Sequence, residues 1–439
     1  MTNRAQAHNI LVVGGGAGGL ELVTRLGKSL GKQNKAIITL IDEQAVHLWK
    51  PLLHEVAAGS MDSNIDQINY YAHAADNDYY YQPGKMEGLD RNQKRIILAP
   101  LLDEQGNELI PRRTLAYDTL VICVGSLSND FNTPGAKEYC LSLDNLEQAN
   151  FFQRKYLNKL LATQYGSSSP TFNIVIVGGG ATGVELAAEL HFSLRQAEYY
   201  GLDHTTIARA QITLVEAAPQ ILTHLPETVT KAVTERLKSL DIAVFTQEQV
   251  LKADKEGIYT QSGKFFPADL CVWAAGVKAP DFLANLDGLE TDSINRLVVN
   301  SKLQTTLDEN IFALGDCANF IDPDFGTTVP PRAQSAHQQA TTLAKSLKNK
   351  LNHKPLVDFK YRDKGSLITL SCYDTFGNLK SFYKMQHYIG GKMAQFVYRS
   401  LYFMHLSALY GFWNALAIKK AKKLLIKTRP RLKLHFSKY

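Results

Sequence analysis

The chain has 439 residues, 45% apolar and 21% charged, which suits two or three folded domains and excludes a disordered or fibrous class. Its five cysteines are scattered, odd in number and without C-x-x-C spacing, so neither a disulfide framework nor a metal site is supported, and a reducing, cytoplasmic setting follows. The formal +6 is uneven: Thr375 to Tyr439 holds thirteen Lys and Arg and no Asp or Glu, which leaves the first 374 residues at −7.

In chain order, MTNRAQAH leaves no room for a signal peptide before the first strand, NILVV at 9–13. Glycines follow, then a helical stretch to about Lys28, then a second β-type run, AIITLI at 36–41, ending at Asp42. A further run, DTLVICV at 118–124, meets Gly125, and Pro134–Gly135 signals a turn. A long helix over about 145–164 leads to GSSSP at 166–170, read as a domain crossing. The pattern then repeats: FNIVIV at 172–177, glycines, a helix, and QITLV at 211–215 ending at Glu216. DLCVWA at 269–274 and ALGDCA at 313–318 close the two halves, and a helix over 330–347 is entered through Pro330–Pro331. A short α/β remainder, about 355–398, precedes the basic tail.

The two glycine runs carry the argument. In the first, Gly14, Gly16 and Gly19 form G-x-G-x-x-G between a strand and a helix, with Ala17 and Gly18 inside it and Asp42 lying 23 residues beyond. In the second, Gly178, Gly180 and Gly183, with Thr182 between, precede Glu216 by 33 residues, an interval lengthened by a long polar helix. The first glycine permits the turn, the second lets backbone approach a pyrophosphate, and the third lets helix and strand pack. Each helix N-terminus offers unpaired N–H groups to phosphate, and each terminal acid can accept from ribose hydroxyls. An acid at 216 followed by alanines favours NADH over NADPH. Two nucleotides are expected, one per domain.

Two such units, with VGS at 124–126, AAG at 274–276 and GD at 315–316, resemble the two-dinucleotide-binding-domain flavoproteins. That resemblance implies an α/β fold of two Rossmann-like, glutathione-reductase-like domains, with FAD held non-covalently by the first loop, Gly125, Gly315, Asp316 and Ala333. It implies NADH on the second loop, Ala275 and Gly276. The expected boundaries are 1–165 with 296–350 for FAD, 166–295 for NADH, and 351–439 for a C-terminal domain. HLWKPLLHEVAAGS at 47–60 has no cysteine pair, which argues against a thiol relay. With VVGGGAGGLE, GSLSNDFNTPG, VWAAGVKAPDFL, AQSAHQ and RPRLKLH, it is similar to bacterial type II NADH dehydrogenases, the NADH:quinone oxidoreductases.

The resemblance implies transfer of a hydride from NADH to FAD and of two electrons to a membrane quinone. It places Lys50 by the flavin and Glu185 near nicotinamide and flavin. Gln334 and Gln338, four apart on one helix face, would meet the quinone, with Lys364 near the flavin or quinone. Proton pumping is not expected, and a homodimer is common in the family.

From Ser400 to Ile418 nineteen residues are uncharged, but His405, Ser407, Gly411 and Asn414 make the run too polar to span a bilayer. Tyr402, Leu406, Leu409, Trp413 and Leu416 share one helical face, followed by a run rich in Lys and Arg. Over about 400–435 this predicts amphipathic helices lying peripherally on anionic lipid, at the cytoplasmic face of a bacterial inner membrane. Nucleic acid is not an expected partner. Two other readings stay open: a reductase of a ferredoxin- or rubredoxin-type protein, and a membrane-bound NADH-sensing flavoprotein without turnover.

Overall fold

A computed structural model of the chain describes residues 7–166, 171–323, 326–380, 386–428, 430 and 432–433. By packing, the chain falls into two units. One comprises Met1–Trp49, Gln67–Leu127 and Val277–Arg362; the other comprises Lys50–Asp66, Ser128–Gly276 and Asp363–Tyr439. Residues 50–66 and 128–165, expected with the first nucleotide-binding domain, thus cluster with the second unit. The cause is apolar packing: the helices Leu53–Ala58 and Leu146–Tyr165 pack on each other, and the former also packs on Ala181–Tyr199. From residue 167 the expected GSSSP crossing lies outside the described residues.

The first unit is built on a six-stranded sheet ordered Gln304–Thr305, Asp308–Ala313, Thr119–Ile122, His8–Val13, Ala36–Asp42 and Tyr80–Pro83. All pairings but the first are parallel. Ile10–Val13 are buried on both faces, as a run of four apolar residues requires in a sheet covered on both sides. After His8–Val13 the chain first adds a strand on one side (Ala36–Asp42) and later one on the other (Thr119–Ile122). The strand's C-terminal end is therefore a topological switch point, where ligands bind in open α/β sheets.

The second unit repeats the plan with a parallel five-stranded sheet: Cys140–Leu141, Leu270–Trp273, Phe172–Val177, Ala210–Val215 and Ala243–Phe245. Its switch point lies at the end of Phe172–Val177. The long Ala181–Tyr199 helix and a second one, His204–Arg209, account for the lengthened interval to Glu216.

In the second unit, Gly365–Leu370, Asp374–Lys380 and Gln386–Gly390 form an antiparallel sheet on which the helix Gly391–Tyr410 packs. The single amphipathic face expected across 402–416 is broken. Gly411, at φ +82°, turns the chain, and a second helix runs Phe412–Thr428. Leu406 and Leu409 consequently point into the protein and are buried, whereas Trp413 is 77% exposed. Among the described residues beyond Thr428 none is helical. Leu432 is buried, and Lys433 N–H donates to the Gly59 carbonyl at 2.8 Å; much of the remaining RPRLKLH lies outside the described residues. Among the described residues no helix is long and apolar enough to cross a membrane.

Candidate active site

Both glycine loops take the geometry that their spacing demands. Gly14 and Gly178 sit at φ +104° and +111°, and a Cβ would lie 2.3 Å from the Cys123 carbonyl or 2.6 Å from Ala275 N. At Gly19 and Gly183 a Cβ would fall 1.9 and 2.0 Å from the carbonyl oxygens of Gly14 and Gly178, so here glycine permits helix and strand to touch. At Gly16 and Gly180 it would meet no atom of the chain within 4 Å, so the backbone there is open to close approach by a phosphate. The helices Ala17–Leu26 and Ala181–Tyr199 begin at these points, with Ala17 and the exposed Thr182 in their first turns.

The strand-end acids behave alike. Asp42 accepts from Gly15 N–H (2.5 Å) and Gln44 N–H (2.8 Å), and Glu216 accepts from Gly179 N–H (2.5 Å) and Ala218 N–H (2.7 Å). Each carboxylate oxygen keeps a lone pair for a ribose hydroxyl. Burial raises the Asp42 pKa, and the two N–H donors oppose that rise.

In the first unit, Asp316 accepts from the Ser126 hydroxyl at 2.8 Å, next to Gly125. Gly315 N–H donates to Gln339 Oε1 at 2.7 Å, which fixes the GD turn on the helix Ala333–Leu351. Gln339 is buried and was not singled out from sequence, although position 339 falls on the same helical face as Ala336, Ala340 and Leu343. Gln338 holds backbone. Its Oε1 accepts from Arg362 N–H and its Nε2 donates to Arg362 O, both at 3.0 Å, so its amide clasps backbone. Gln334 is half-buried in the helix's first turn, and Ala333 opens the helix.

Glu185, Lys50 and Lys364 belong to the second unit. The two lysines are exposed, Lys50 opening a short 3-10 turn and Lys364 preceding the strand Gly365–Leu370. Glu185 is buried. Its carboxylate accepts from Thr369 N–H at 3.0 Å and lies 3.9 Å from His54 Nδ1. Burial, with the nearby Glu189, pushes Glu185 up to about 8, while burial drives His54 down to about 4. Both are neutral at pH 7, so the 3.9 Å approach is not an ion pair. Burial, with Glu189 and Glu185 as acidic neighbours, also pushes up Glu55. Sequence reasoning missed Glu55 and Glu189. A signal existed in VELAAELH, where acids at 185 and 189 share a helix face, an arrangement that costs stability.

Residues 8–340 match the profile of the pyridine nucleotide-disulphide oxidoreductases, a class in keeping with two doubly wound sheets and paired glycine loops. The chain is 43% identical to the type II NADH:quinone oxidoreductase of Haemophilus influenzae, over 97% of this chain and 100% of that one. It is 27% identical to the Staphylococcus aureus protein of the same name, over 94% and 98%. The chain belongs to the type II NADH:quinone oxidoreductase family. Its fold matches the Plasmodium falciparum NDH2 structure in complex with NADH (TM-score 0.79, 20% identity, 98% and 100% covered). The Aquifex aeolicus sulfide:quinone oxidoreductase is also similar (TM-score 0.72, 19% identity, 97% and 96% covered).

Proposed function

We propose that this chain is a membrane-associated, non-proton-pumping NADH:quinone oxidoreductase. The observation that carries the reading is a pair of equivalent nucleotide cradles in a chain that is 43% identical, end to end, to a type II NADH:quinone oxidoreductase.

The first cradle fits FAD. Gly16, Ala17 and Gly18 would present backbone N–H groups to the pyrophosphate, with Gly14 and Gly19 shaping the turn, Asp42 would accept from a ribose, and Gly125, Gly315, Asp316 and Ala333 would line the flavin end. When bound, FAD supplies a carrier that takes a hydride from NADH and yields two electrons to a quinone. The second cradle takes NADH on Gly178, Gly180, Thr182 and Gly183. Glu216 accepts from the adenosine ribose and would repel a 2′-phosphate, and Ala275 and Gly276 meet the nicotinamide half. Glu185, a neutral acid at pH 7, hydrogen-bonds in the reaction region and holds a proton there. Gln334 contacts the quinone. Gln338 serves by anchoring the helix to Arg362.

Attachment to anionic lipid rests on the C-terminal helices. Met393, Phe396, Phe412, Trp413 and Leu424 are exposed, and so are Lys419, Lys420 and Lys423. Apolar side chains interleaved with lysines suit the bilayer interface, each lysine adding about 1 kcal/mol near an anionic surface. The side of the membrane is the cytoplasmic one, where NADH is available. The homodimer implied by the family is to be measured by light scattering.

The test is the flavin absorbance of the purified, flavin-loaded protein. NADH should bleach it, and a short-chain quinone should restore it with stoichiometric quinol. Bleaching that no quinone reverses would remove the reading.

A further inference from the structure

The segment SNDFNTPG spans residues 128–135. Phe131 and Asn132 both adopt left-handed backbone, at φ +51° and +55°. Asparagine tolerates this region, but a bulky aromatic residue does so rarely and at a cost. Burial of the ring does not offset that cost, because Phe131 is 62% exposed.

The surrounding hydrogen bonds fix the backbone that carries the ring. Ser128 N–H and hydroxyl both donate to Asp144 Oδ1, at 2.8 and 2.9 Å. Trp273 Nε1 donates to the Asn129 carbonyl at 2.8 Å, Asn129 N–H donates to Gly276 O at 3.3 Å, and Asn129 Oδ1 accepts from Phe131 N–H at 3.0 Å. The ring edge rests on Gly276, where a Cβ would lie 2.5 Å from Phe131 Cζ. Gly276, expected to be a nucleotide contact, is therefore also the position whose missing side chain makes room for this phenyl group.

The location has a direction. Along the C-terminal edge of this unit's sheet, Glu216 ends the strand on one side of the glycine loop, and the Ala275–Gly276 segment follows the strand on the other. A dinucleotide with its adenosine ribose on Glu216 and its pyrophosphate on the loop extends its nicotinamide half toward Gly276. A strained, tethered and exposed aromatic ring stands at that end.

We propose that Phe131 is the aromatic wall on which the nicotinamide ring of NADH stacks, a specificity-determining contact for the hydride donor. This rests on the reading of the second cradle as the NADH site. Loss of one stacked ring corresponds to about a tenfold change in affinity.

The experiment is anaerobic stopped-flow bleaching of the full-length, flavin-loaded enzyme over a range of NADH concentrations, for wild type, F131L, F131W and F131N. The NADH concentration giving half-maximal bleaching should rise about tenfold in F131L and F131N and less than threefold in F131W. Reoxidation by a short-chain quinone should be unchanged throughout. F131N should melt above wild type, because asparagine relieves the backbone while losing the ring. Half-saturation within twofold of wild type in F131L, or F131W as impaired as F131L, would overturn the inference and leave the NADH site intact. A wild-type flavin that NADH does not bleach would sink the underlying reading instead.

Discussion

The two glycine loops share a sequence pattern, a backbone and a strand-end acid, yet the structure closes them by different means. In the first unit the Gly15 carbonyl accepts from the Tyr70 hydroxyl at 2.7 Å, with His47 Nδ1 at 2.9 Å, so side chains from distant segments brace the loop. In the second the equivalent Gly179 carbonyl accepts from the Leu222 backbone N–H at 2.8 Å. Two residues past each fingerprint stands a buried glutamate, Glu21 in GAGGLE and Glu185 in GATGVE. Glu21 is met by His337 Nδ1 at 2.6 Å and Arg25 at 4.0 Å, whereas Glu185 has a backbone N–H and an uncharged histidine. One duplicated position has become a helix-to-helix tie and the other a neutral acid. The difference matches a resident cofactor on one side and an exchanging substrate on the other.

The glycines break the comparison hardest. Gly14→Ala adds a Cβ at positive φ against the Cys123 carbonyl and should cost about 3 kcal/mol or more. The purified variant should be colourless or insoluble. Gly178→Ala suffers the same clash in its own unit, and that protein should stay yellow but fail to bleach with NADH. A yellow, active G14A would end the assignment of FAD to the first loop.

The acids come next. Asp42→Ala should release flavin, while Glu216→Ala should retain flavin and raise KM for NADH about tenfold, the loss expected for a hydrogen bond to a charged group. E216A should also narrow the preference for NADH over NADPH. Steady-state kinetics with both nucleotides, beside the flavin absorbance, separates the two roles.

Much of this was legible because local chemistry dictates it. The fingerprints, Asp42, Glu216 and the GD turn at 315–316 each announce themselves within a few residues. Gln338 shows the limit: its place four residues after Gln334 was readable, but the Arg362 backbone that occupies its amide was not. The C-terminal face meets a related limit, since the spacing predicts one helical face through residues 402–416 and Gly411 breaks it. Glu21 and Glu185 could not be told apart, because residues 54, 337 and 369, remote in sequence, set their environments.

Those two glutamates give a pH-dependent test. Glu185 is held near 8 in the folded protein against about 4.5 when unfolded. Between these values the native state binds the extra proton, so wild-type stability falls as pH rises from 4.5 to 8. Glu185→Gln removes that penalty. It should melt with wild type at pH 4.5 and gain about 2–4 kcal/mol by pH 8. Glu21→Gln should instead destabilise at neutral pH, because it weakens the contacts to His337 and Arg25. Equal pH profiles for the two variants would erase the distinction between the glutamates.

Tyr70 offers the finest probe of why the first loop holds its ligand. Tyr70→Phe deletes one buried hydroxyl that donates to Gly15 O and should cost about 1 kcal/mol, seen as faster flavin loss in dilute guanidinium with little change in KM for NADH. Tyr117 supplies the control in the same unit: it too is buried, but its hydroxyl has no hydrogen-bond partner among the described residues, so Tyr117→Phe should leave flavin retention unchanged. If both variants shed flavin alike, general loosening of the unit explains the loss, and the brace on Gly15 does not distinguish the two loops.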